Sequence, residues 1–101
     1  MGSDVEDFIA LAQAFLQPRP LGQVDAELGL AKWRDRLSSF EAEARSGEQF
    51  LGLEGLVSNL YEFDVPLSTH EYAELMRLAR RWDAAEAQVA ALLPLVLAAP
   101  S

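Results

Sequence analysis

Ser46–Trp82 reads SGEQFLGLEGLVSNLYEFDVPLSTHEYAELMRLARRW, and two helical periods in it decide the fold. Phe50, Leu53, Leu56, Val57, Leu60 and Phe63 recur at spacings of three and four, which places them on one face of a helix. Tyr72, Leu75, Met76, Ala79 and Trp82 do the same in a second helix. Between the two runs, Asp64-Val65-Pro66-Leu67 closes the first helix, because the residue before a proline is steered away from helical geometry. Ser68-Thr69-His70-Glu71 then has the form of a capping box and starts the second. Ser46-Gly47-Glu48-Gln49 has the same form and predicts the start of the first. Gly52 and Gly55 lie inside that helix, each costing about 1 kcal/mol relative to alanine. They lie on one side of it, beside Asn59 and Glu62. That implies either a close helix–helix crossing or a smooth patch where a partner can approach the backbone.

The flanks extend the same pattern. Ser3-Asp4-Val5-Glu6 is a further capping box, followed by Val5, Phe8, Ile9, Ala12, Phe15 and Leu16 at helical spacing. Pro18 and Pro20 end that helix, and residues 17–23 form a connector. A second helical region spans residues 25–45, with Leu30, Trp33, Leu37, Phe40 and Ala44 as its seam. Gly29 and Ser38-Ser39 are weak helix formers, so a break is expected near one of them. After Trp82, Asp83-Ala84-Ala85-Glu86 starts an alanine-rich helix carrying Val89, Leu92, Leu93, Val96 and Leu97, which Pro94 kinks or ends early. Arg77, Arg80 and Arg81 fall in the last turns of their helix, where cations complement the dipole. No stretch alternates as a strand would. The expected fold is all-α, a compact bundle of four to five short antiparallel helices, with residues 1–101 as one helical domain.

Composition narrows the function. Half of the 101 residues are apolar and 24% are charged, as in an ordinary folded domain. A net charge of −8 argues against nucleic acid as a ligand and for a basic protein surface as a partner. Without cysteine there is neither a disulfide nor a thiol nucleophile. The acidic N-terminus is unlike a secretory leader. The apolar run from Val89 to Ala99 is about half the ~20 residues a membrane span needs. A cytoplasmic protein without a membrane partner is expected.

No residue set announces chemistry. His70 is the only histidine, in the first turn of its helix, and a metal site needs three or four ligands. The carboxylate pairs Glu41/Glu43, Glu62/Asp64 and Glu71/Glu74 have no spacing that converges on a pocket. The expectation is a non-enzyme with no metal and no cofactor.

Charge is unevenly placed. Residues 41–76 hold eight acids against Arg45 alone, whereas residues 1–40 sum to −2 and residues 77–101 to +1. Such a run is either a solvated face or an acidic docking surface, with Tyr61, Tyr72 and His70 interleaved as amphipathic contacts.

Gly47-Glu48, Leu53-Glu54-x-Leu56, Leu60-Tyr61-Glu62-Phe63-Asp64-Val65-Pro66-Leu67-Ser68 and Glu71-Tyr72 follow one another in an order that resembles the MafI-type immunity proteins of bacterial polymorphic toxin systems. The resemblance covers residues 46–82, with Leu53 where that family usually has alanine. It implies a cognate inhibitor that binds a toxin domain, often a nuclease, whose basic phosphate-holding surface suits an acidic inhibitor. By position, Glu48, Glu54, Glu62 and Asp64 match the family's recurrent acids, although Glu54 could instead bond a neighbouring helix end. With their neighbours they make the candidate toxin-binding set: Glu48, Glu54, Tyr61, Glu62, Asp64, His70, Glu71 and Glu74. The alternative is a non-catalytic adaptor that homodimerises through the C-terminal helix.

Overall fold

A computed structural model describes residues 3–98, the side chains of Leu97 and Ala98 excepted. Among these residues every regular element is helical: α1 (Asp4–Ala14), α2 (Val24–Glu27), α3 (Leu30–Arg45), α4 (Gln49–Glu62), α5 (Thr69–Arg81), α6 (Glu86–Ala90) and α7 (Leu93–Ala98). The fold is all-α, with four longer helices and three short ones.

Helix starts follow the hydroxyl signals at two of the three expected places. The Ser3 hydroxyl accepts the Glu6 N–H at 3.0 Å and opens α1. The Ser68 hydroxyl accepts the Glu71 N–H at 3.1 Å, and the Glu71 carboxylate accepts the Ser68 N–H at 2.9 Å, completing the box at α5. Ser46 does not open α4. It ends α3, its hydroxyl donating to the Glu43 carbonyl at 3.0 Å, and Glu48 precedes α4 without a side-chain cap. Ser68→Ala is therefore expected to cost about 1 kcal/mol in urea unfolding, and Ser46→Ala less than about 0.5 kcal/mol.

Helices α3, α4 and α5 end alike. Gly47, Asp64 and Asp83 each take a left-handed backbone, at φ of 91°, 51° and 49°. The next N–H reaches back to the third carbonyl from the helix end: Glu48 to Glu43, Val65 to Leu60 and Ala84 to Ala79, at 2.9–3.0 Å. This six-to-one bond satisfies a carbonyl the helix would otherwise orphan, and aspartate tolerates the left-handed region better than most residues. Asp64 thus has a backbone reason to be aspartate. Helix α1 stops at Ala14, earlier than the prolines required. Phe15 and Leu16 tighten its end through bonds to the Ala12 and Gln13 carbonyls.

The break in the second helical region falls at Gly29, whose φ of 92° separates α2 from α3. The helix runs unbroken through Ser38 and Ser39. Trp33, Leu37, Phe40 and Ala44 are buried as expected, whereas Leu30 is half-exposed. Phe50 also lies outside the core, while Leu53, Leu56, Val57, Leu60 and Phe63 are in it. The C-terminal segment divides at Ala91-Leu92, upstream of Pro94. The proline takes the second position of α7, where a missing N–H removes no helical bond. Val89 and Leu92 are buried, Leu93 is half-exposed, and the Leu97 side chain lies outside the described residues.

Helix α4 is central, packing on α1, α3, α5 and α6, most extensively on α3. The two glycines make that contact. A Cβ at Gly52 would stand 2.6 Å from the Phe40 carbonyl oxygen, and one at Gly55 would overlap the Phe40 ring. The glycines are therefore a helix crossing, not a patch for a partner's backbone. One hydrophobic cluster joins all the longer helices, including Phe8, Trp33, Leu53, Leu60, Leu75 and Leu78. A radius of gyration of 12.5 Å matches the ~13 Å of a compact 100-residue domain.

Candidate functional site

The eight candidate residues do not form one site. Glu71 is only 9% exposed. Both its carboxylate oxygens accept from Arg19, at 2.6 and 2.8 Å, while one also caps Ser68. The Arg19 guanidinium also donates to the Pro66 carbonyl at 2.9 Å and lies 4.3 Å above the Phe15 ring. A carboxylate so occupied has no charge left for a partner, so Glu71 leaves the docking set and becomes a fold residue. Burial pushes its carboxyl up, but the Arg19 fork and the Ser68 N–H outweigh this and hold it below the usual glutamate range.

Arg19 belongs to the 17–23 connector, which is a strap and not a spacer. Beyond Arg19, the Gln23 N–H donates to the Phe63 carbonyl at 2.6 Å. Gly22 lies so close to the Phe63 and Asp64 carbonyls that a Cβ there would overlap them. The Trp33 indole N–H donates to the Phe15 carbonyl at 3.0 Å and packs edge-on to Phe63. The whole turn from Tyr61 to Ser68 is thus clamped from below, which fixes where its outward side chains point.

Glu74 is also committed. It pairs with Arg77 at 3.1 Å, and Arg77 reaches Asp4 and Asp7 of α1 at 3.1 and 3.0 Å. Arg81 adds a second bond to Asp4, and Arg80 pairs with Glu86. The arginines at the end of α5 thus tie α1 and the start of α6 to it, besides complementing the helix dipole. The Arg77 hydrogen bond lowers the Glu74 carboxyl, those of Arg81 and Arg77 lower Asp4, and Glu74 and Asp4 raise Arg77. His70 is exposed and shares the groove between α1 and α5 with Asp7 and Glu74.

These lowered carboxyls set a direction for acid stability. A depressed folded-state pKa contributes stability above the unfolded value, and that contribution is lost as pH falls through the folded one. Between pH 6 and pH 3 the unfolding midpoint should fall. In Glu71→Gln the unfolding free energy should start about 2 kcal/mol lower at pH 6 and fall less steeply. Parallel wild-type and variant profiles would assign the acid sensitivity elsewhere.

The remaining candidates gather on the outer face of α4. Phe50, Glu54, Ser58, Tyr61 and Glu62 follow one another at spacings of three, four or one, so they share one side of the helix. Leu51 lies beside them. Tyr61 is 61% exposed, Phe50 43% and Leu51 39%, so much of the large apolar surface lies on this one helix. Glu48 and Asp64 stand at its two ends. Among the described residues, Glu48, Glu54, Glu62 and Asp64 have no ion-pair partner, in contrast to Glu71 and Glu74. Glu54 bonds no neighbouring helix end among them. Sequence reasoning placed Phe50 on the core face, because its period is compatible with the core, and gave Leu51 no role.

Beside this face, Val57, Ser58 and Tyr61 form a shallow groove with Gln88 of α6 and with Ala91 just beyond it, of about 230 Å³. No group of three or more His, Cys, Asp or Glu among the described residues is placed to hold a metal ion. No helix among them is long and apolar enough to cross a membrane. The chain matches no protein-family model, no curated protein and no solved structure, so its function has to be read from the residues themselves.

Proposed function

We propose that the chain is an immunity protein, which binds and neutralises a cognate bacterial toxin domain through the acidic outer face of α4. The observation that carries this reading is the division of the acids. Glu71 and Glu74 are consumed inside the fold, whereas Glu48, Glu54, Glu62 and Asp64 surround exposed Phe50, Leu51 and Tyr61 with no cation of their own among the described residues. A rim of unpaired charge around aromatic and aliphatic anchors has the composition of a protein-binding patch, where apolar side chains supply affinity and charges supply orientation and rate. The partner's surface is basic, as a nuclease's must be to hold phosphates. Inhibition needs no chemistry from this chain, only occlusion. Protection takes place in the cytoplasm of the producing cell, before the toxin is exported.

The test is protection in a growing host. Expression of the proposed toxin domain, sought in the neighbouring reading frame, should arrest growth, and coexpression of the chain should restore it. Arrest that persists with the chain abundant and folded would remove the immunity reading.

A further inference from the structure

We infer that the groove between α4 and α6 receives an arginine side chain of the protein partner, a deepening that rests on the docking role of the α4 face. The groove is lined by Val57, Ala91 and Tyr61, with Ser58 and Gln88 as its polar residues. The groove itself therefore favours an apolar stem. Its surroundings favour a cation. Glu54 and Glu62 stand one helical turn before and after Ser58, about 6 Å along the axis in each direction. Both are exposed and unpaired among the described residues.

An aliphatic or aromatic occupant would fill the groove but leave these carboxylates to be desolvated without compensation. Lysine would bring charge but only a point-like head. Arginine meets every feature. Its methylenes lie on Val57 and Ala91, its planar guanidinium stacks on the exposed Tyr61 ring, and its fork bonds a carboxylate with two parallel hydrogen bonds.

The experiment titrates the ¹⁵N-labelled full chain with an acetylated, amidated tri-arginine peptide, and with the tri-lysine peptide of the same charge. Arginine should shift the amides of Val57, Ser58, Tyr61, Gln88 and Ala91 together and bind about fivefold tighter than lysine. Tyr61→Ala should abolish that preference, and Ser58→Arg, which fills the groove from its own lining, should abolish the shifts at Gln88 and Ala91. Shifts confined to α4, equal for the two peptides and unaffected by Tyr61→Ala, would overturn the arginine groove and leave the acidic face standing. Shifts on neither α4 nor α6, or spread evenly over acids such as Asp25 and Glu27, would overturn both.

Discussion

Gly52→Ala is expected to destabilise the protein by about 3 kcal/mol, although alanine is the better helix former by about 1 kcal/mol. The sign is set by what the methyl would meet. At 2.6 Å it collides with the Phe40 carbonyl oxygen, and α3 backbone cannot turn aside as a side chain can. Relief requires α3 and α4 to separate, and theirs is the most extensive helix pair in the molecule. Gly55→Ala presses on the Phe40 ring instead. The ring can tilt, so about 1–2 kcal/mol is expected there. Urea unfolding measures both. A stabilised Gly52→Ala would mean that the helices do not cross so closely and that the glycine serves a surface role.

The second large effect concerns binding. Glu54→Lys with Glu62→Lys should weaken the proposed toxin complex roughly 100-fold and leave unfolding within about 0.5 kcal/mol of wild type. Neither carboxylate makes an ion pair among the described residues, so the fold loses nothing by their reversal. The partner's cations, in contrast, would meet like charge across a partly desolvated interface. Asp64 is left alone because its left-handed backbone would strain lysine. Glu27→Lys with Asp35→Lys makes the same change in net charge on α2 and α3, away from the outer face of α4. If that control weakened binding equally, the long-range field of the whole protein would be responsible, not the α4 face.

Local signals carried much of this structure in the open. Ser68 reads as a helix start because Thr69 and His70 after it accept helical geometry, and Glu71 falls at the reciprocating position. Ser46 carries the same pattern and fails. Gly47 follows it directly, and a glycine free to turn left-handed ends the preceding helix before the serine can begin the next. Gly29 was legible as one of two places for a break, and the Gly52/Gly55 pair as either a crossing or a patch, because each violates a helical preference at a cost that needs a reason.

The long-range pairings were not legible. Pro18-Arg19-Pro20 has the composition of a spacer, yet Arg19 reaches Glu71, 52 residues away, and turns a presumed docking acid into a clamp. Asp4 with Arg77 and Arg81 is the same kind of contact across α1 and α5. Counting charges along the chain located the acidic hairpin. It could not divide those acids into spent and free, since that depends on which arginines the fold delivers to them. The surface position of Phe50 was hidden for a related reason, because α4 is apolar on more than the face its neighbours cover.

Titration calorimetry of the chain against the proposed toxin domain, sought in the neighbouring reading frame, bears most directly on the proposed role. The expected isotherm shows one-to-one binding with a Kd of roughly nanomolar or below, as for other standard-sized protein complexes held against an enzyme. Toxin activity should disappear at the same equivalence point. The absence of binding heat at tens of micromolar toxin domain, with its activity undiminished by excess chain, would contradict an immunity function outright.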